Sequence, residues 1–342
     1  MESTLPSPSP SLSASTATTP ALPLNSTPTP ALIPIGNGSH CLSCCVTGPA
    51  IQCGPAQGDA DARKNNESDP LVVIIPGAGD VASSYVAVER LLRPFTKTLL
   101  YDRSGLGRSE NRPSPVGAES GLEGRSYTSR SGAVTAAAEL GSLLRALSLT
   151  SPLILLAHSY GGIVAREFFH LYPERVAGMV LVDASTARER VLLCAGPQYR
   201  CCAWEWRARA KDIYASADAA TAETAGFQVV CKTLKSKKQV ETQALGGRPL
   251  VVIRANTARD YERVYQAGIQ SGNGTEEERQ GFEELLGRWE NIDAELQEEQ
   301  LRLSSVNRFV RVQDCGHNVH LVRPDVIAEE VRWVRDRILE RS

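Results

Sequence analysis

The sequence predicts an α/β domain with a mostly parallel central sheet and helices on its faces. From Ala31 onward, short strand-like segments alternate with helical ones, as they do in domains built on parallel sheets. Segments such as Leu71–Ile75 and Leu153–Ala157 are continuous apolar runs, typical of buried strands. A chain of 342 residues is also long enough to bury a large core.

The amino-terminal segment differs from the rest of the chain. Ser, Thr, Pro and Ala dominate residues 1 to about 30, which offers too little apolar surface to offset the entropy of ordering. We therefore predict a disordered tail over residues 1–35 and a single domain over residues 36–342. The first 30 residues carry one charge, Glu2, and lack the basic start and apolar stretch of a secretory signal and the arginines of a mitochondrial transit peptide.

The predicted elements follow one another along the domain with one interruption. An Ala-rich insert over about residues 185–247 breaks the alternation, and we expect it to form a helical lid. Trp204 and Trp206 in this insert would cover an apolar ligand or pack the lid onto the domain. The predicted strands are His40–Val46, Leu71–Ile75, Thr96–Tyr101, Leu153–Ala157, Val176–Val182, Leu250–Ile253 and Arg308–Val312; the predicted helices are Ala133–Leu147, Gly162–Leu171, Glu276–Leu303 and Pro324–Glu340.

Charge and cysteine usage exclude several classes of function. Lys and Arg total 37 against 39 for Asp and Glu, so no basic surface for nucleic acid is indicated. No apolar run reaches the roughly 18 residues of a membrane span. Nine cysteines, an odd number, favour a reducing compartment, and we expect a cytoplasmic protein. Cys41 and Cys44 are spaced as C-x-x-C, but without a second pair at zinc-site spacing they indicate small core residues rather than a metal site.

The most informative segment is Leu153–Gly162, in which an apolar strand leads into Ser159 and then into a helix. A serine on such a sharp turn needs small neighbours, here Ala157 and Gly161. The segment resembles the nucleophile elbow of the α/β-hydrolase superfamily, although Ala157 replaces the usual glycine. The helix start beside the serine offers backbone N–H groups, so Tyr160 is a candidate oxyanion donor.

Three further segments strengthen the resemblance. Ile74–Asp80 ends a strand in a glycine loop where this superfamily keeps its second oxyanion donor, which by position is the N–H of Ala78. Tyr101–Ser109 resembles the next loop of the superfamily, and we expect it to be a structural turn. Asp314–Pro324 follows the last strand and resembles the histidine loop, which makes His317 the candidate base and leaves His320 as a lining residue.

The acid that orients His317 has two candidates. Asp183 ends the strand Val176–Val182, a position that some members of the superfamily use, and otherwise it would cap a following helix. Asp260 lies seven residues beyond Ile253, near the commoner position, and otherwise it would form a surface ion pair with Arg259 or Arg263. We favour Asp183 and keep Asp260 as the alternative.

The four loops occur in the order of the α/β-hydrolase superfamily. The sequences of Tyr101–Ser109, Ala157–Phe168 and Val176–Ser185 are most similar to its microbial and fungal branch. The resemblance implies a serine hydrolase that cleaves an ester, thioester or lactone of a small molecule, with Ser159, Asp183 and His317 as catalytic residues and no cofactor. Alternatives are a receptor or scaffold without turnover, an aminopeptidase, or a tailoring hydrolase of natural-product biosynthesis. Neither the acyl group nor the oligomeric state follows from the sequence.

Overall fold

The computed structural model describes residues 29–49, 69–113, 132–186 and 217–341. Eight strands in these ranges form one sheet in the order β1-β2-β4-β3-β5-β6-β7-β8. The strands are β1 (Ala31–Ile35), β2 (His40–Thr47), β3 (Leu71–Ile75), β4 (Lys97–Tyr101), β5 (Leu153–His158), β6 (Val176–Val182), β7 (Leu250–Ala255) and β8 (Asn307–Val312). The α-helices are α1 (Val86–Leu92), α2 (Ala133–Ala146), α3 (Gly161–Leu171), α4 (Ala217–Ser236), α5 (Thr257–Gln270), α6 (Glu276–Glu299), α7 (Val319–Val322) and α8 (Pro324–Leu339).

The sheet is parallel from β4 through β8, and only the pairs β1/β2 and β2/β4 are antiparallel. The carboxyl ends of β3, β5, β6, β7 and β8 therefore meet at one edge. In open α/β sheets, ligands bind in the crevice outside these carboxyl ends. The loops that carry the predicted site residues all leave the sheet at this edge.

Two apolar clusters cover the two faces of the sheet. Successive strand residues point to opposite faces, so Val73 and Leu155 join one cluster whereas Val72 and Ile154 join the other. The first cluster includes buried residues of α2, α3 and α4, and the second includes residues of α1 and α8. A separate small cluster around Phe282 and Trp289 packs α5 against α6.

The strands and helices predicted from the sequence are confirmed, with small shifts at their ends. The predicted helix Glu276–Leu303 is α6 followed by a 3₁₀ turn over Gln300–Leu303. Helices α1 and α5 were not predicted. Within the insert, α4 is helical as expected, residues 237–247 form turns, and Trp204 and Trp206 lie outside the described residues.

The predicted boundary of the tail at residue 35 is wrong. Residues Ala31–Ile35 form β1, which pairs with β2 from Ala31 opposite Cys44 to Ile35 opposite His40. The turn between the strands uses positive φ angles at Gly36, Asn37 and Gly38, which glycine adopts without strain. Pairing with β2, rather than local composition, orders this segment; residues 1–28 lie outside the described ranges.

The cysteines of β2 behave as core residues. Cys44 belongs to the first of the two apolar clusters, and burial raises the pKa of its thiol to about 12. All five cysteines of the described ranges are free thiols: Cys41, Cys44, Cys45, Cys231 and Cys315. In the same ranges, no helix is long and apolar enough to cross a membrane.

Candidate active site

Ser159 occupies the turn between β5 and α3. Its φ angle is +53°, a left-handed conformation that is uncommon and costly for a residue with a side chain. Backbone hydrogen bonds hold the turn: the Ser159 N–H donates to Val182 O at 3.2 Å, and the Ser185 N–H donates to Ser159 O at 2.9 Å. A Cβ at Gly161 would collide with the carbonyl oxygen of Ile75, which explains why a residue without a side chain follows the turn.

The ring of His317 is bound by Asp183. His317 Nδ1 lies 2.6 Å from Asp183 Oδ2, and the other carboxylate oxygen accepts the Ala255 N–H at 3.0 Å. The Asp183 side chain is 3% exposed, whereas that of His317 is 37% exposed. Asp183 has a φ of +42° at the end of β6, so it too sits in a strained turn. Within the described residues, its carboxylate contacts an imidazole and caps no helix.

Asp260 binds the same residue at a different atom. Its Oδ2 accepts the backbone N–H of His317 at 2.7 Å. Asp260 lies in the first turn of α5, and a Cβ at Gly316 would collide with its carboxylate. Within the described ranges it forms no ion pair with Arg259 or Arg263, so the alternative of a surface ion pair is wrong. Its place is beside the histidine loop, but not at the ring.

A third contact reaches His317 through its carbonyl oxygen. His158 Nε2 lies 2.9 Å from His317 O, so this nitrogen must carry the proton, and His158 Nδ1 then accepts from the Tyr85 hydroxyl at 2.9 Å. Burial, together with the charges of His317 and His320, holds the pKa of His158 well below its usual value. A neutral His158 therefore joins the serine turn to the histidine loop, with ring centroids of His158 and His317 4.7 Å apart.

The glycine loop after β3 approaches the same turn. Gly77 donates its N–H to the Tyr85 hydroxyl at 3.1 Å, and a Cβ at Gly77 would lie 3.4 Å from Ser159 Cβ. Ala78, half-buried in this loop, lies between glycines, and none of the described residues accepts a hydrogen bond from its N–H. Tyr160 is the N-cap residue of α3, and its ring is buried.

The loop after β4 is structural around Asp102, as expected. Asp102 Oδ1 accepts the Ala82 N–H at 2.7 Å, and Oδ2 accepts the Arg108 N–H at 3.1 Å. Arg103 is different, because its guanidinium reaches the glycine loop. Arg103 Nη1 donates to Pro76 O at 2.7 Å, and Arg103 Nε donates to Glu223 Oε1 of α4 at 2.6 Å.

One group of side chains in the described ranges could approach a metal ion. Asp80, His158 and His320 each place one ligand atom within 4.8 Å of the others. Both ring nitrogens of His158 already make hydrogen bonds, so a metal would have to displace Tyr85 or the His317 carbonyl. His320 Nε2 lies 3.5 Å from Asp80 Oδ2, and its ring stacks on Tyr85 with centroids 4.3 Å apart. These residues fit a packed polar cluster better than a metal site.

The structure brings Asp183 and His317 into contact and places Ser159, Ala78 and Tyr160 at the same edge of the sheet. Sequence reasoning missed three residues that contact these loops: Tyr85, Arg103 and Glu223. Tyr85 and Glu223 lie in segments without a motif. Arg103 lies in the loop Tyr101–Ser109, but a sequence does not show which residues so long a side chain contacts.

Residues 72–330 match the sequence model of the alpha/beta hydrolase family. The chain belongs to this family. An AB hydrolase superfamily protein of Gibberella zeae is 27% identical over 304 residues, which span 79% of this chain and 88% of the relative. The α/β hydrolase also resembles solved structures. Their sequence identity to this chain is low, so the resemblance shows a shared fold.

Two solved structures illustrate that likeness. A thermophilic esterase from Thermogutta terrifontis has a TM-score of 0.54 at 16% identity, and the match covers 91% of this α/β hydrolase and 99% of the esterase. An alpha/beta hydrolase fold protein from Chitinophaga pinensis has a TM-score of 0.56 at 12% identity, with 90% and 97% covered.

Proposed function

We propose that this α/β hydrolase is a serine hydrolase that cleaves a carboxylic ester, thioester or lactone of a small apolar substrate through an acyl-enzyme. The observation that carries the proposal is the 2.6 Å contact between His317 Nδ1 and a buried carboxylate oxygen of Asp183. A carboxylate at Nδ1 fixes the tautomer of the imidazole and stabilises its charged form, which is what a general base needs. Ser159, in its strained turn, belongs to the same edge of the sheet.

The reaction assigns one role to each side chain. Because Asp183 binds Nδ1, His317 Nε2 takes the proton as Ser159 Oγ attacks the carbonyl carbon. The same nitrogen then gives the proton to the leaving oxygen or sulfur, and the acyl group remains on Ser159. Water, deprotonated by His317, attacks the acyl-enzyme, and the proton returns to Ser159 as the acid product leaves.

The negative charge on the carbonyl oxygen needs donors that are already in place. We assign this role to the backbone N–H groups of Ala78 and Tyr160. In support, Ala78 lies in the loop that approaches Ser159, and Tyr160 directly follows the nucleophile at the start of α3. A helix start favours negative charge through the partial positive charge of its first backbone N–H groups.

The serine favours acyl transfer over two other reactions found on this fold. An aspartate nucleophile can displace a halide or open an epoxide and leave an ester that water cleaves. A serine ether formed in the same way would not be hydrolysed. The proposed reaction uses a small-molecule substrate and requires no cofactor, and the nine cysteines fit its expected location in the reducing cytoplasm.

The experiment that tests the proposal replaces Ser159 with alanine. We expect turnover of p-nitrophenyl esters to fall by about 10⁴-fold or more, judging from other triads, and labelling by a fluorophosphonate probe to disappear. Ser142→Ala is the matched control, since among the described residues the Ser142 hydroxyl forms hydrogen bonds only within its own helix, α2. Turnover at the parent rate in Ser159→Ala would refute the assignment.

The substrate class is tested on the parent enzyme. A panel of esters of graded acyl length, thioesters, lactones and proline amides separates the proposed reactions from an aminopeptidase. A folded parent that neither turns over any of these nor reacts with the fluorophosphonate would indicate a receptor or scaffold and contradict the proposal.

A further inference from the structure

A buried ion pair joins the insert to the glycine loop after β3. Arg103 and Glu223 form two hydrogen bonds, Nε to Oε1 at 2.6 Å and Nη2 to Oε2 at 2.8 Å. The side chains are 2% and 4% exposed. Arg103 comes from the loop after β4, whereas Glu223 belongs to α4 of the insert. The pair therefore connects two regions that are 120 residues apart in the chain.

The same two side chains hold the backbone on both sides of Ala78. Arg103 donates to the carbonyl oxygens of Pro76 and Gly77, at 2.7 and 2.5 Å. Glu223 Oε2 accepts the Gly79 N–H at 2.7 Å. The peptide units before and after Ala78 are thus fixed by charged groups, and this includes the direction in which the Ala78 N–H points.

The sequence of the loop makes these contacts necessary. Gly77 and Gly79 flank Ala78, and glycine has more backbone freedom than any other residue. An oxyanion donor stabilises the transition state only when it is already directed at the developing charge. Arg103 also lies 5.6 Å from the centroid of the Tyr160 ring, so one guanidinium is close to both segments that carry the assigned donors.

We propose that Arg103 and Glu223 are positioning residues that set the oxyanion loop, and that the geometry of this loop depends on the docking of α4. The inference rests on the proposed function for its catalytic consequence. With α4 displaced, Glu223 leaves, Gly79 loses its acceptor and Arg103 remains buried without a carboxylate. The insert then acts on the reaction through the backbone of Ala78.

The other end of α4 provides a control. Lys237, which follows α4, pairs with Glu167 of α3, with Nζ 2.8 Å from Oε2 and side chains 10% and 1% exposed. This ion pair also ties the end of the insert to the domain, but neither of its members contacts the glycine loop. Glu167→Gln therefore removes a buried ion pair near the end of the insert, while Arg103, Glu223 and their contacts to residues 76–79 remain in place.

The kinetic test compares Glu223→Gln with Glu167→Gln. The substrate is the compound of the ester, thioester and lactone panel that the parent enzyme turns over fastest. For Glu223→Gln we expect kcat to fall by about 10- to 100-fold with KM within about threefold, because the lost contact serves the transition state. Affinity for a trifluoromethyl ketone, which forms an oxyanion with the serine, should fall by the same factor as kcat/KM. Glu167→Gln should keep kcat within about threefold of the parent.

Amide hydrogen exchange tests the positioning without catalysis. Exchange at residues 77–79 should accelerate in Glu223→Gln and not in Glu167→Gln. Should Glu223→Gln fail to fold, the double variant Arg103→Met with Glu223→Leu removes both buried charges while keeping apolar volume, and it should show the same losses.

The outcomes separate this inference from the proposed function. Unchanged exchange at residues 77–79, or unchanged kcat in Glu223→Gln, overturns the inference while Ser159-dependent turnover of the parent stands. A parent without turnover or labelling overturns the proposed function and, with it, the catalytic consequence of the ion pair.

Discussion

Asp183 and Asp260 both bind His317, and they do so at atoms with different chemistry. Asp183 contacts the ring nitrogen Nδ1 at 2.6 Å, whereas Asp260 accepts the backbone N–H at 2.7 Å. The distances are nearly equal, but only the first contact is made to the ring that would carry a positive charge in the proposed reaction. The comparison teaches that proximity to the histidine does not identify the acid; the contacted atom does.

The largest expected effect follows from Asp183→Asn. The amide keeps the size of the carboxylate, but it favours the wrong tautomer of His317 and does not stabilise the imidazolium. We expect kcat for the best ester to fall by about 10⁴-fold, as in other triads, measured by steady-state kinetics. A loss below about tenfold would contradict the assignment of Asp183 as the acid.

A smaller loss is expected from Asp260→Asn. The amide oxygen still accepts the His317 N–H, but the contact loses its charge, which is worth about 1 kcal/mol, or a factor of about 5 to 10 in rate if fully expressed in positioning. The same assay gives kcat, and urea unfolding gives the accompanying change in stability. A larger loss in Asp260→Asn than in Asp183→Asn would reverse the comparison.

Tyr85→Phe tests the contact on the carbonyl side of His317. The change removes the hydroxyl that donates to His158 Nδ1 and accepts from Gly77, leaving two buried groups unpaired. We expect a loss of about 1–3 kcal/mol in the free energy of unfolding and a decrease of a few-fold in kcat. Parent-like values for both quantities would show that this network does not hold the loops.

Lowering the pH perturbs His320 of the histidine loop without a substitution at Asp183 or Asp260. Burial lowers the pKa of His320 to about 4, below its ordinary value of about 6.5. Between these values the unfolded chain binds more protons than the native one, so the free energy of unfolding decreases as the pH falls through this window, by about 3 kcal/mol in total.

The matched variant is His320→Phe, whose ring preserves the stacking on Tyr85. Urea unfolding at several pH values should show a flatter dependence between about pH 6.5 and 4 than in the parent. Identical slopes for the two proteins would exclude His320 as a source of acid sensitivity.

Local patterns predicted the positions of Ser159, which directly follows the apolar strand β5, and of His317, which lies in the loop after β8. They also placed both aspartates near the site, since the ends of parallel strands meet at one edge. The sequence favoured Asp183 for the ring, but the contact of Asp260 with the backbone N–H of His317 could not be predicted. It depends on α5, which begins at Thr257 and carries Asp260 in its first turn.

Contacts across long stretches of chain account for the other omissions. The strand Ala31–Ile35 directly follows the Ser- and Pro-rich segment, and its pairing with β2 was not predicted from the sequence. Glu223 pairs with Arg103 across 120 residues, and Tyr85 with His158 across 73. No spacing rule connects residues so distant, so such partners are visible only in the fold.

The most direct test of the proposed assignment of Ser159, His317 and Asp183 is the rate of phosphonylation of Ser159 by a fluorophosphonate. The rate is measured by mass spectrometry in the parent and in the two aspartate variants. For Asp183→Asn we expect a second-order rate constant about 10³-fold or more below that of the parent. For Asp260→Asn we expect a rate constant within about tenfold of the parent value. Equal rates in the two variants, or adduct on a residue other than Ser159, would contradict the assignment.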